Sequence, residues 1–464
     1  MPAQLSPLDT AFLELEEADD SAHMHIGWAM VFDPLPDGGA PSLDALRAQT
    51  EERLDLLPRF RLRLSSPRVG ALSWPSWEPD PDFDVANHMR RASLPAPGGE
   101  AELMEWLGDF YSHRLDRTRP LWEITLLDGL EAGRWALVTK AHHCLVDGVS
   151  GASVAVALLD AEPDPPAGSA GLAALAAPAA EEPRGDGPLA RLQAALGTGL
   201  GTVTHPRRLG AVLSRSRAVA ELLVRDEMLG APHTSLNEPI GASRRLGAVD
   251  VPLDRLKEIK NALGGHVNDV VLAAVAGGLR ELLEHRGELD GIDRVRAMVP
   301  VNRRAPEESL TLGNRVSSLF VELPLAEPDP LLRYRKTVAA SSALKRAGQS
   351  AGAETLVDLA GIAPPAIHGI VARLAFKPRL FNVTITNVPG PQTTLYALGA
   401  PMLRVIPLVP IFSGHAVGVA VVSYDGDVVF GLNADRPTVP DLEAMQAGIE
   451  RSLADLGAAA AAVR

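Results

Sequence analysis

HHCLVDGVSG, residues 142–151, places two adjacent histidines ahead of an Asp-Gly pair, with Asp147 four residues after His143. The unperturbed pKa of histidine lies close to neutral pH, so a histidine held in place is the default general base. In the preceding RWALVTKAH, Trp135, Leu137 and Thr139 alternate with Ala136, Val138 and Lys140, which predicts a strand. The following DGVSGASVAVALLDAE predicts a short apolar helix. The histidines therefore fall on a loop between rigid elements, a common place for catalytic groups.

Three chemistries compete for the pair. The first is structural, two imidazoles satisfied by local hydrogen bonds. The second is a metal site, since His143 and Asp147 are spaced to share a helical face. No partner motif supplies the remaining ligands: His23, His25, His88, His113, His266 and His415 form no comparable cluster, so no metal is expected. The third is catalysis, with one histidine as base and Asp147 holding the loop. Cys144, the only cysteine, raises the question of a Cys–His nucleophile. Consecutive side chains of an extended segment diverge, whereas a thiolate and its imidazole must meet. The same geometry parts His142 from His143 and leaves one of them to face a reaction centre.

Further motifs widen the reading. LSPLDTAFLELEEADDSAHMHIGWAMVFD opens the chain, with Ser6 placed to cap a helix. RPLWEITLLDGL (119–130) carries Pro120, Leu121 and Trp122. In VNDVVLAAVAGGLR (267–280), Val267, Val270, Val271, Ala274, Val275, Gly278 and Leu279 recur at helical spacing. Asn268 and Asp269 sit where they either complement the positive end of that helix or line a site. LGNRVSSLFVELP (312–324) and TNVPGP (386–391) follow. With HHxxxDG, these segments resemble the bacterial wax ester synthase/diacylglycerol acyltransferase family, within the superfamily of chloramphenicol acetyltransferase and peptide-synthetase condensation domains. The resemblance runs from residue 5 to beyond 430. A condensation domain would be expected to carry a DFGWG-like element near its C-terminal end, where this chain reads SYDGDVVFGLNADR.

The resemblance implies an α/β fold of two chloramphenicol-acetyltransferase-like sandwich domains with an active-site tunnel between them. It implies His143 as general base, His142 in support, and Asp147 with Gly148 as loop groups, Asp147 mainly structural. It implies substrate-binding roles for Asn268, Asp269, Pro120, Leu121 and Trp122. The LLPRFRLRL segment offers Arg59, Arg61 and Arg63 to Asp147, and the resemblance points to Arg59 or Arg61 as its partner. Arg303 with Arg304, or Arg244 with Arg245, are the basic pairs considered for the phosphates of CoA. The expected activity moves a fatty acyl group from acyl-CoA to a long-chain alcohol or a diacylglycerol. Acyl-CoA is a substrate, and no cofactor is expected. Two alternatives stay open, an acyltransferase fed by a carrier protein and a non-catalytic lipid-droplet scaffold.

Composition bounds the rest. At 464 residues the chain is long for one core, and 46% hydrophobic residues exclude a mainly disordered protein. One cysteine excludes a disulfide framework and fits a reducing cytoplasm. A net charge of −14 argues against nucleic acid as a partner and gives no attraction to anionic lipid. The first twenty residues are acidic without an apolar segment, so no secretory leader is expected. No apolar run approaches a membrane span, so contact with a membrane or lipid droplet is expected to be peripheral. Residues 161–188 are rich in Pro, Ala, Gly and acid, and 189–230 then read as helical. The expected division is 1–160, a linker with crossover helices over 161–230, and a second α/β region over 231–464. That region holds the strands RVRAMVPVN, SSLFVELPL and FNVTITNV and a hairpin turned at Asp425-Gly426-Asp427.

Overall fold

The computed structural model describes residues 3–65, 75–146, 154, 157–165, 230–302, 316–347 and 380–463. Asp147, Gly148, Arg303, Arg304 and nearly all of the 161–230 linker lie outside the described residues. The first part of the chain runs β1 (Ala3–Gln4), α1 (Pro7–Ala18), β2 (His25–Phe32), α2 (Leu43–Arg53), β3 (Leu62–Leu64) and β4 (Ser76–Pro79). It continues through β5 (Met89–Ser93), α3 (Glu100–Tyr111), β6 (Trp122–Asp128) and β7 (Trp135–His142). The second part runs β8 (Arg244–Pro252), α4 (Leu253–Leu263), α5 (Val267–His285), β9 (Val295–Asn302), β10 (Val316–Leu323) and α6 (Pro330–Ala347). It ends with β11 (Val383–Pro389), β12 (Tyr396–Ala397), β13 (Ala400–Leu408), β14 (Val417–Tyr424), β15 (Asp427–Asp435) and α7 (Leu442–Val463).

Two six-stranded sheets organise the molecule, in the orders β12-β13-β2-β7-β6-β5 and β10-β9-β11-β14-β15-β8. A small sheet, β1-β4-β3, lies beside the first. The fold is mixed α/β in two halves. The halves are not cut where the sequence suggests. β12 and β13 belong by number to the 231–464 region, yet β13 pairs antiparallel with β2, from Met402 opposite Phe32 to Leu408 opposite Gly27. This covers the edge of β2 and buries Val405, Ile406 and Leu408 in the first core. The pairing is made across hundreds of residues, beyond the reach of local pattern.

Local chemistry explains the elements that frame the site. Ser6 caps α1: its Oγ accepts from the Asp9 N–H (3.1 Å), and the Asp9 carboxylate accepts from the Ser6 N–H (3.2 Å). Helix α1 thereby starts at a fixed point and delivers Glu16 near its end. Strand β7 forms over the predicted run, is mostly buried, and lies between β2 and β6, with Tyr111 at the end of α3 donating to the Thr139 carbonyl (2.6 Å). The β14–β15 hairpin turns on Asp425 and Gly426, at φ 44° and 90°, the paired positive angles of a two-residue turn. Asp427 already pairs with Tyr424.

In the second half, α5 is buried along most of its length and crosses α7 closely. Glycines make the crossing possible: a Cβ on Gly278 would lie 2.6 Å from Ile449 and 2.8 Å from the Met445 carbonyl oxygen. The two halves meet through an apolar cluster of Phe12, Ala22, Met24, Leu380, Phe381 and Phe412. Buried Arg244 fastens the same seam, donating to the Gly241 carbonyl (2.7 Å) and to the Ser21 carbonyl of the first half.

Candidate active site

β7 ends at His142, and the chain turns through His143, Cys144 and Leu145. The register of β2 with β7 sets His142 opposite His25. The His142 N–H donates to the Leu121 carbonyl (3.0 Å), so the PLW segment carries the backbone of the loop. The His143 N–H donates to the Met24 carbonyl (2.7 Å). The Cys144 N–H donates to the Nδ1 atom of His142 (3.1 Å). A backbone N–H can only donate, so that Nδ1 carries a lone pair and the imidazole proton of neutral His142 sits on Nε2.

Burial separates the four loop residues sharply. His142, Cys144 and Leu145 are buried, while His143 is half-buried with its ring against Phe12, centroids 4.2 Å apart. Phe12 belongs to the apolar cluster at the seam, so His143 stands at the boundary between the halves. Cys144 is fully buried, and burial pushes its thiol well above the ordinary value. A thiol kept protonated there is no nucleophile.

Beneath the loop lies a polar cluster that no motif announced. Glu16 is buried, with one oxygen 3.4 Å from His142 Nε2 and the other 3.5 Å from His25 Nε2. Arg117 grips Glu16 through Nη2 (2.7 Å) and Nε (3.1 Å). Burial opposes the charge on Glu16, but the imidazoles and the Arg117 guanidinium outweigh it and hold the carboxyl below the usual carboxylate range. Burial, then Lys140, pushes His25 well below its ordinary value, and His23 falls to about 4 through burial and the charge of Arg244. His23, His25 and His142 form a row, with ring centroids 5.7 and 6.1 Å apart. No sequence motif groups His23 and His25 with the loop. Strand register, not sequence spacing, brings them together. Among the described residues no group of His, Cys, Asp and Glu is placed to hold a metal.

The remaining expected residues fall in three places. Leu121 and Trp122 are buried beside the loop, and Pro120 directly precedes them. Trp122 stacks on His88 at 4.4 Å and donates Nε1–H to the Phe60 carbonyl (2.8 Å). It also walls an apolar cavity of about 30 Å³ with Gly27, Trp28, Ile124, Ala141 and Val146. Asn268 and Asp269 start α5 in the other half. Asn268 Oδ1 accepts from Asn387 Nδ2 (3.2 Å). The buried Asp269 carboxylate accepts from the His266 N–H (2.8 Å) and the Ser341 hydroxyl (2.6 Å), so it caps the helix. Among the described residues no hydrogen bond joins Asn268 or Asp269 to either loop histidine.

Arg244 is corrected as a CoA-phosphate contact: it is 1% exposed and committed to the seam. Arg245 pairs with Glu443. Of the arginines considered for Asp147, Arg61 pairs with Glu51 (2.8 Å) and Arg63 with Glu78 (3.2 Å). Burial dominates the Cys144 thiol, yet Arg59 lies close enough for its charge to act on it.

Comparison with known proteins agrees with this geometry. Residues 5–271 match the wax ester synthase/diacylglycerol acyltransferase catalytic domain, and 312–457 match the WS/DGAT C-terminal domain. A Mycobacterium tuberculosis protein named "Probable diacyglycerol O-acyltransferase tgs1" is 33% identical over 459 residues, covering 97% of this chain and 95% of its own. The tgs2 protein of that organism, similarly named, is 34% identical over 457 residues, covering 97% and 98%. The solved wax ester synthase/diacylglycerol acyltransferase of Marinobacter aquaeolei VT8 superposes with a TM-score of 0.71 at 28% identity, over 99% of this chain and 100% of that one. The first condensation domain of the calcium-dependent antibiotic synthetase shares the fold, with a TM-score of 0.62 at 19% identity over 99% and 96%. The chain belongs to the wax ester synthase/diacylglycerol acyltransferase family and is an acyltransferase.

Proposed function

We propose that this acyltransferase moves a fatty acyl group from acyl-CoA to the hydroxyl of a long-chain alcohol or a diacylglycerol, with His143 as general base. The observation that carries the assignment is the burial pattern of the loop: among residues 142–146, His143 alone is not buried. Its imidazole takes the hydroxyl proton as the oxygen bonds to the thioester carbonyl carbon. The tetrahedral oxyanion then collapses, the C–S bond breaks, and the CoA thiolate recovers the proton from His143. The route needs no acyl-enzyme and no cofactor, consistent with the buried, protonated Cys144.

Asp147, with Gly148, holds the loop in this reading, and Arg59 is its counter-charge, because Arg61 and Arg63 are committed to Glu51 and Glu78. Leu121 and Trp122, with Pro120, back the acyl site. Asn268 faces substrate from the second half, and Asp269 serves it by fixing the start of α5. The lipid acceptor is met at a membrane or droplet surface from the cytoplasm. No single helix among the described residues is long and apolar enough to cross a membrane.

The test is CoA release from palmitoyl-CoA, offered hexadecanol and, separately, a diacylglycerol. Release dependent on either acceptor is expected. No release with either, together with turnover of a carrier-bound acyl group, would overturn the donor assignment.

A further inference from the structure

The cluster beneath the histidine loop has no part in the acyl-transfer steps above, yet it is too costly to be incidental. Burying a carboxylate and two imidazoles against one cation is unfavourable unless the groups are matched. The match here is directional. Arg117 donates twice to Glu16 Oε2, the oxygen that also faces His142 Nε2, and Oε1 faces His25 Nε2. An ionised carboxylate can only accept, so it favours the His142 tautomer with the proton on Nε2. That tautomer leaves Nδ1 bare, and bare Nδ1 is what accepts the Cys144 N–H. The amide after His143 is thus tied to the His142 ring, and the amide of His143 itself to Met24. His143 is clamped on both sides. The 3.4 Å separation of Glu16 from His142 is long for a hydrogen bond, and such contacts commonly tighten once substrate is bound.

We propose that Glu16 is a positioning residue for the general base, acting through His142 by fixing its tautomer. The inference rests on reading His143 as that base. With Glu16→Leu, no acceptor faces Nε2, the Nε2–H form loses its partner, and the Nδ1–H form, which opposes the Cys144 N–H, gains population. The loop then loses the bond that orients His143.

The measurement is nitrogen-15 NMR of the imidazoles, with His142→Asn assigning the His142 signals, alongside steady-state kinetics. In the wild-type enzyme His142 should carry its proton on Nε2, and Glu16→Leu should move population to the Nδ1–H form. Glu16→Leu should lower kcat about 10- to 100-fold, the order of loss seen when a partner orienting a functional imidazole is removed, with KM little changed. The Oδ1 atom of Asn can still accept the Cys144 N–H, so His142→Asn should keep part of the activity. Adding Glu16→Leu to His142→Asn should then cost no further kcat. A wild-type kcat in Glu16→Leu, an equal loss in both backgrounds, or an Nδ1–H tautomer in the wild type would each overturn the proposal. The wild-type spectrum decides by itself if Glu16→Leu does not fold. Turnover retained by His143→Ala would remove the base assignment instead, and the His142 tautomer would still be read independently.

Discussion

The two six-stranded sheets are alike in size and differ in where they bury charge. The first half encloses charge: Glu16 with Arg117, Lys140 with Glu123 (2.6 Å), and Arg53 with Asp160, besides three histidines in a row. The second half encloses a nearly continuous aliphatic core around α5; its buried pair of Arg244 and Asp435 (3.9 Å) lies at the seam, away from that core, and Asp269 closes the start of α5. Buried charge contributes little net stability, and well-packed apolar residues would often serve as well. Its concentration beside the loop of His142 and His143 teaches that the first half holds reactive groups in place and the second supplies a rigid wall. His415 sharpens the contrast. It is as buried as His142 but sits among aromatic rings, Phe381 at 4.0 Å and Phe412 at 4.4 Å.

The largest effect should come from the reactive side. His143→Ala removes the proposed base and should lower kcat by on the order of 10²–10⁴ with the fold intact by circular dichroism. His142→Ala should keep measurable turnover. Near-wild-type rates from both variants would detach the loop from the chemistry and break the comparison at its centre.

Next is Arg53→Met. Among the described residues Asp160 would keep only Gln49 (2.9 Å) as a side-chain partner, and stranding a buried charge costs about 3–5 kcal/mol. Denaturant unfolding reads this directly. A loss near zero would mean that the buried charges of the first half are as dispensable as surface pairs.

Gly278→Ala probes the wall. The new methyl meets a backbone carbonyl at 2.8 Å that cannot yield without moving α7, so overpacking of about 1–3 kcal/mol is expected. A neutral result in thermal unfolding would show the α5–α7 crossing to be looser than its geometry.

The effect smallest at neutral pH concerns His415, which burial holds neutral down to about 3. The unfolded chain takes up this proton near pH 6.5 and the folded protein does not, so the stability is present above that pH and is lost as pH falls toward 3. His415→Leu should remove about 1.4 kcal/mol per pH unit of that slope, one proton's worth. His23, lowered to about 4, should leave its own slope in place, with the same sign. An unchanged slope in His415→Leu would make the two halves alike in their response to acid.

Much of this architecture was legible beforehand because its causes are local. Ser6 and Asp9 mark the start of α1, the spacing of Val267, Val270, Val271 and Ala274 marks α5, and the β14–β15 hairpin follows from Asp425-Gly426 between apolar runs. The role of Asp269 was open between cap and site, and its bonds to His266 and Ser341 are those of a cap. Arg244 misled, because an arginine in a polar stretch reads as exposed until the seam closes over it.

The sequence by itself determined many of the elements and the family, since both are written in residues near one another: strand β7, the two histidines at its end and the capped start of α1 are fixed by neighbours within a few positions. Only the tertiary structure decided which residues from distant segments share a site. Glu16 reaches His142 because α1 is capped where it is and because β2 pairs with β7 in one register, with His25 opposite His142. A shift of one residue in that pairing would turn His25 to the other face and dissolve the cluster. The return of β13 to the first sheet is likewise a choice among edges, made by apolar area and open backbone groups that exist only once β2 has formed.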